Sequence, residues 1–435
     1  MEISRRACLW LVALAPLLAQ DRIQPLTILH SNDLHAHLSP DTTGAGGFAY
    51  LAAQVRQERL HCAACIYLNA GDLVQGTPVS TLFHGVPVYE IGNEMGFDAA
   101  VIGNHEFDYG WRSVQKFARI AKYPVLSANV VNEAGVPITG KAFVILNAGG
   151  MRVAVIGVVM GDMFGTLVTP KDAGPWHVTP LIETIRKYVA EIKNQADLIV
   201  VLGHIMDQDG DDILRAVPEI SAVILGHDHR GFQEMKRVNG RVAVLLRGYG
   251  VELGRLDMQV DLTAHKLKSA EWARIPIDSK KIEPAADVGR SVAHWEAKAS
   301  KIVDVPVGES KRPLGVDDLR ALIEQAMREE SGSDLAFMNR GGVRDVFPAG
   351  HLLARHVWNV LPFEDYVVTA KCKGNQLPNE ASAGRSIDPD REYTFATADF
   401  VATVNFGKSG LAFTNSGRLI RDLVIDWIKK KKVLD

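Results

Sequence analysis

The sequence predicts an α/β protein of two unequal units, on three observations. Short β-rich apolar runs alternate with helical patterns from about residue 26 to residue 261. Residues 276–285 interrupt that alternation with two prolines and mixed charge. A polar helix is then expected over 288–302, followed by a second, shorter α/β stretch from about Val305. A chain of 435 residues is also long for one hydrophobic core, so two domains are the prior.

In the first unit, strands are expected at Leu26–His30, Ile66–Asn69, Ala99–Ile102, Arg152–Val158, Leu198–Leu202 and Val223–Leu225. Their nearly continuous apolar character suits strands covered on both faces. Helical patterns fall at Gly47–Leu60, Tyr89–Met95, Trp111–Ala121 and Pro180–Asn194. Ala142–Leu146 and Met151–Val158 flank Asn147-Ala148-Gly149-Gly150 and read as a hairpin. In the second unit a helix is expected over Asp317–Glu330, with strands at Asp334–Met338, Tyr366–Ala370 and Tyr393–Ala398. The expected division is a signal segment over 1–19, a first domain over 21–265, a linker with the connector helix over 266–304, and a second domain over 305–435.

Composition narrows the function classes. Hydrophobic content of 47% and charged content of 23% are ordinary for a soluble globular protein. The net charge of −3 and the lack of a basic stripe interleaved with aromatics argue against a nucleic-acid partner. Lys429–Lys432 reads as a solvated helix end. Arg5-Arg6 followed by the apolar run Ala7–Ala19 is too short to span a bilayer and has the form of a secretory signal cleaved near Ala19. The general and twin-arginine export routes both remain open. The mature chain is expected in the periplasm or outside the cell, with no stable membrane insertion. In that oxidising setting Cys62 and Cys65 are expected to form a local structural disulfide rather than a redox motif, because no helix opens after them. Cys8 falls in the signal and Cys372 is expected to be buried. Nothing in the sequence fixes the oligomeric state.

Five polar clusters each follow a strand-like run: Asn32-Asp33-Leu34-His35, Gly71-Asp72, Gly103-Asn104-His105-Glu106-Phe107-Asp108, Gly203-His204 and Gly226-His227-Asp228-His229. Strand ends form the rim where α/β sheets place their chemistry. The clusters offer oxygen and imidazole donors without sulfur, enough for two divalent cations sharing one carboxylate. Asp33 and His35, two apart on a segment expected to be extended, share one face and can converge on one ion. A water shared by two cations loses a proton near neutral pH and becomes a hydroxide nucleophile for a phosphate ester.

These clusters, in this order, resemble the calcineurin-like metallophosphoesterase superfamily, and within it the 5′-nucleotidase branch. The likeness is carried by Thr27 to His35, Asn69 to Phe83 and Gly103 to Gly110, and later by Asn339 to Arg344 and Leu361-Pro362-Phe363. The resemblance implies a four-layer α/β/β/α sandwich with a smaller C-terminal α/β substrate domain of the 5′-nucleotidase type. It implies that Asp33, His35 and His229 bind one metal, that Asp72 bridges, and that Asn104, His204 and His227 complete the second site. It makes His105 the group that stabilises the phosphoryl or protonates the leaving oxygen, with Asp108 holding its ring. Glu106 and Asp228 are expected to support rather than ligate. Zinc, manganese, cobalt and iron(II) all suit this donor set.

The resemblance assigns substrate recognition to the C-terminal domain, with Arg344 on the phosphate, Asn339 on the substrate or its loop, and Phe400 as a base platform or a core residue. The stretch Gly374–Tyr393 is shorter than the family's and is expected to lack one stacking aromatic. The implied activity is metal-dependent hydrolysis of small phosphate monoesters, foremost nucleoside 5′-monophosphates. Cyclic-nucleotide, UDP-sugar and thiosulfate-ester hydrolysis on the same scaffold are the near alternatives, and a non-catalytic surface binding protein is a remote one.

Overall fold

The computed structural model describes residues 22–377, 379–382 and 386–435. The expected signal segment, Cys8 included, lies outside these residues, as does part of Gly374–Tyr393.

Two six-stranded sheets form the N-terminal part. The first runs Lys266–Pro276, Glu252–Asp261, Ile23–Ser31, Cys65–Asn69, Ala99–Val101, Val125–Leu126. Its last four strands are parallel, and the first two are antiparallel additions. The second runs Lys236–Val238, Arg241–Leu245, Ile220–Gly226, Leu198–His204, Met151–Val159, Phe143–Ala148. It too has a parallel centre, and the expected hairpin forms one of its two antiparallel edges.

The period of two along each strand explains how the sheets stack. Ile28, Leu68 and Val101 of the first sheet meet Val155, Val200 and Ile224 of the second in one buried layer. Their neighbours Leu29, Tyr67, Ala100, Ile156, Val201 and Val223 point the other way, into a second core shared with the helices. Leu51, Val55 and Ile91 from helices Phe48–Arg59 and Val86–Met95, and Ile185 and Val189 from Leu181–Ile192, belong to that outer core. The order is helix, sheet, sheet, helix, as the resemblance implied.

One expectation fails here. Residues 266–276, expected to open the linker, form an eleven-residue strand paired to Glu252–Asp261. As an edge strand with one largely solvated face, it carries Lys266, Lys268, Glu271 and Arg274 among its apolar residues, which disguises it as linker. The helix Ala286–Val303 then packs on the N-terminal part through Val288, Val292 and Ala299.

The C-terminal part has its own core. A four-stranded sheet orders Leu335–Ala336, Glu392–Ala398, Tyr366–Lys373 and Thr414–Leu419, and a three-stranded one orders Gly350–Leu353, Pro306–Ser310 and Val433–Leu434. Helices Val316–Ser331 and Ile420–Lys431 bury Leu319, Ile323, Trp427 and Ile428 against them. The strand expected over Asp334–Met338 is cut to Leu335–Ala336, although Phe337 N–H still donates to Ala396 O at 3.0 Å; the next N–H, of Met338, donates to the Glu324 carboxylate at 3.1 Å. Arg355 pairs with Glu296 and Asp304 of the connector, and Thr81 Oγ1 donates to Pro362 O at 3.0 Å, so the two parts meet beside the strand ends. Cys62 and Cys65 are joined by a disulfide, and Cys372 is buried.

Candidate metal centre

Each expected donor sits where a strand gives way to a turn. Ile23–Ser31 ends just before Asp33, Cys65–Asn69 before Asp72, Ala99–Val101 before Asn104, and Ile220–Gly226 before His227. His204 is the last residue of Leu198–His204. Asp33, His35, Asp72, Asn104 and His204 are buried, while His227 and His229 are half-buried.

The turns are not extended. Eleven described non-glycine residues have φ in the left-handed region, and seven of them cluster here: Asp33, His35, Ala36, Asp72, Gln75, His227 and Tyr249. That conformation is disfavoured when a Cβ is present, and its concentration at one place marks strain held by surrounding contacts. Asp33 (φ 50°) and His35 (φ 45°) therefore converge through a left-handed turn, not through the shared face of an extended segment. Backbone bonds enforce the turn: Asp33 N–H donates to Gly71 O and His35 N–H to Asp72 O, each at 3.0 Å. Gly71 and Gly226 are needed nearby, since a Cβ on either would come within 3.0 Å of the His204 ring.

The donor atoms fall into two groups that meet at Asp72. His229 Nε2 lies 3.4 Å from Asp33 Oδ1 and 3.0 Å from His35 Nε2. His204 Nε2 lies 3.1 Å from Asp72 Oδ2 and 3.1 Å from Asn104 Oδ1. His35 Nε2 is 3.8 Å from Asp72 Oδ2. Three trios have atoms close enough to share an ion: Asp33, His35 and His229; Asp72, His204 and His227; and His35, Asp72 and His105, which lies between the other two. Ligand bonds of about 2.0–2.2 Å to one ion place neighbouring donors roughly 3–3.5 Å apart. The spacing and the nitrogen and oxygen donor set thus fit divalent cations.

Electrostatics point the same way. Burial works to raise the Asp72 pKa, but His204, His105 and His35 outweigh it and hold the carboxyl well below the usual range. Burial opposes a charge on His204, yet Asp72 and Asp33 raise its pKa to about 10. A buried carboxylate such as Asp72 that holds its charge this firmly suits positive partners.

His105 stands beside this cluster. Its Nδ1 is 2.8 Å from Asp108 Oδ2, which leaves Nε2 for the cavity, and its backbone N–H donates to Asp72 Oδ1 at 3.0 Å. Burial lowers the ring's pKa, but Asp108 and Asp72 more than compensate and raise it above the ordinary histidine value. Glu106 supports the loops: its carboxylate accepts N–H groups of Leu73 (2.9 Å), Asp72 (3.3 Å) and Gly103. Asp228 pairs outward with Arg230.

A cavity of about 1140 Å³ opens from this cluster towards the C-terminal part, lined by Asp72, His105, Asn339, Arg344, Phe363 and Phe400, among others. Arg344 is half-buried, lies 6.0 Å above the Phe363 ring, and has no ion pair among the described residues. Asn339 needs Gly342 beside it, where a Cβ would sit 2.7 Å from its Oδ1. Phe400 is half-buried, touching the C-terminal core and lining the cavity at once.

Gln75 and Tyr249 escape the sequence reading, and Phe363, read there only as part of a motif, gains a place at the site. Phe363 stacks 5.8 Å from the His105 ring. Gln75 lines the cavity, is buried, and has neither amide atom partnered among the described residues. Tyr249 puts its hydroxyl 3.1 Å from His229 Nδ1. Their only signals are glycines, Gly76 after Gln75 and Gly248 and Gly250 around Tyr249, which mark turns without saying what they serve.

Comparison with known proteins agrees with this geometry. The family model for calcineurin-like phosphoesterase matches residues 26–231, and that for the 5′-nucleotidase C-terminal domain matches 301–381. The chain is 26% identical to the endonuclease YhcR of Bacillus subtilis across 88% of its own length but only 37% of that protein. It is 26% identical to the 5′-nucleotidase of Vibrio cholerae, covering 82% of this chain and 75% of that one. The crystal structure of a 5′-nucleotidase precursor from Thermus thermophilus superposes with a TM-score of 0.86 at 20% identity, over 95% of this chain and 97% of that one.

Proposed function

We propose a function from one premise: the chain belongs to the calcineurin-like phosphoesterases, metal-dependent phosphoester hydrolases, and carries a 5′-nucleotidase C-terminal domain. The reading is an exported hydrolase of phosphate monoesters, foremost nucleoside 5′-monophosphates. Its N-terminal domain, taken here through Pro276, does the chemistry, and the domain after the connector helix selects the substrate. The observation that carries it is the continuous cavity from the Asp72 cluster to Asn339, Arg344 and Phe400, of a size that takes a nucleotide.

Asp33, His35 and His229 would hold one cation and Asn104, His204 and His227 a second, with Asp72 shared between the two groups. When bound, two cations supply an acidified water and neutralise charge on the phosphoryl oxygens. The guanidinium of Arg344 grips the non-bridging oxygens, and Asn339 orients them. As the bond from phosphorus to the leaving oxygen breaks, His105 Nε2 delivers its proton to that oxygen. Asp108 fixes the ring for this by accepting from Nδ1 and favours the protonated form beforehand. Phe400 offers a face to the base, and Trp111 lines the same cavity. With Gly374–Tyr393 shorter than the family's stretch, the enzyme discriminates weakly among bases.

The similarity to an endonuclease raises a polynucleotide alternative. A panel assay with added manganese or zinc tests the reading. Nucleoside 5′-monophosphates of all bases should be cleaved within about tenfold of one another, well ahead of cyclic nucleotides, UDP-sugars and DNA. A diester or a thiosulfate ester leading the panel would replace this reading.

A further inference from the structure

We propose that Tyr249 is a positioning residue for the metal centre: its phenol oxygen fixes the tautomer and ring orientation of His229. The inference rests on the proposed two-metal reading and goes beyond it in assigning a residue that none of the motifs contains.

His229 turns Nε2 towards Asp33 Oδ1 (3.4 Å) and His35 Nε2 (3.0 Å), so Nε2 is the donor to a cation. Nδ1 must then carry the ring proton. The Tyr249 oxygen, 3.1 Å away, accepts it. His204 is tied in the same manner, its Nδ1 lying 2.9 Å from Ala70 O. At His204 the tie is backbone and indifferent to sequence. At His229 it is a side chain, and one substitution removes it.

The backbone supports the assignment. Tyr249 has φ of +70°, a conformation glycine adopts freely and tyrosine does not, and it lies between Gly248 and Gly250. A glycine would relieve the turn, so the phenol is what the strain retains. The segment is strapped to the turn that bears Asp33. Tyr249 N–H donates to Asp33 O at 2.6 Å, and Leu246 exchanges two hydrogen bonds with the Asn32 amide at 3.1 and 3.3 Å. Gly248 lets the chain pass, since a Cβ there would lie 3.1 Å from His229 Cγ and 3.3 Å from Asp33 Cβ. The ring packs edge-on to His229 at 5.0 Å and lies 4.6 Å from His37. Phenylalanine would reproduce all of that packing and lose only the oxygen.

Metal-free full-length protein should therefore be titrated with manganese, comparing the parent with Y249F and Y249G. Y249F is expected to bind one of the two cations about tenfold more weakly and the other normally, as loss of a partner behind a ligating histidine does. Its metal-free melting temperature should match the parent. Y249G should show the same weakened site with an equal or higher melting temperature. Parent-like binding of both cations by Y249F overturns the role of Tyr249 and leaves the two-metal reading intact. A parent that binds fewer than two cations defeats that reading, and this inference with it.

Discussion

The rim of the N-terminal sheets and the facing wall of the C-terminal domain border one cavity, yet they are built on opposite plans. At the rim, most polar side chains are buried, their turns are strained, and backbone bonds tie the turns to one another. On the wall, Asn339, Arg344 and Phe400 are half-buried, and Arg344 has no ion pair among the described residues. A centre that must hold charge against water is fixed in advance. A surface that takes up substrate leaves its donors unsatisfied until the substrate arrives.

The largest break in this comparison should come from Asp72→Asn. Removing the shared anion should lower metal content and reduce turnover by orders of magnitude. Full activity with two metals per chain would take Asp72 out of the bridge. Next is His105→Ala, which should cut turnover by about 10²–10⁴ while both metals stay bound. Metal loss on the scale of His227→Ala would turn His105 into a ligand and move the border between rim and wall. The smallest effects belong to the wall. Phe400→Ala should weaken nucleotides by about 1–3 kcal/mol, roughly ten- to a hundredfold, and spare a small ester without a base, whereas Arg344→Ala should harm both alike. Equal loss of both substrates in the Phe400 variant would make that ring a core residue.

The rim was legible because five polar clusters, each after a strand-like run, stand together in the order that carries the resemblance. All seven expected donors come together in the fold. Their geometry was less legible: the DxH spacing suggested an extended segment, and the left-handed turn that replaces it depends on Gly71 and on bonds to the neighbouring loop. A lone histidine also needs its surroundings to be read. His30, on the strand that leads to Asp33, is buried in the sheet, accepts from Trp272 Nε1 at 2.9 Å, and is pushed down to about 3 by burial. Tyr249 lies twenty residues beyond His229 and is no metal-ligand type, so only folding brings it into view. Phe400 stays ambiguous in sequence because a ring that serves both core and cavity satisfies either pattern. The strand Lys266–Pro276 was hidden by the charges of its solvated face.

Crystals soaked in manganese would test the central claim most directly, through the anomalous scattering of the bound ions. The account predicts two peaks that share Asp72, one bounded by Asp33, His35 and His229 and the other by Asn104, His204 and His227, with His105 in contact with neither. A single peak, or one ligated by His105, would contradict it.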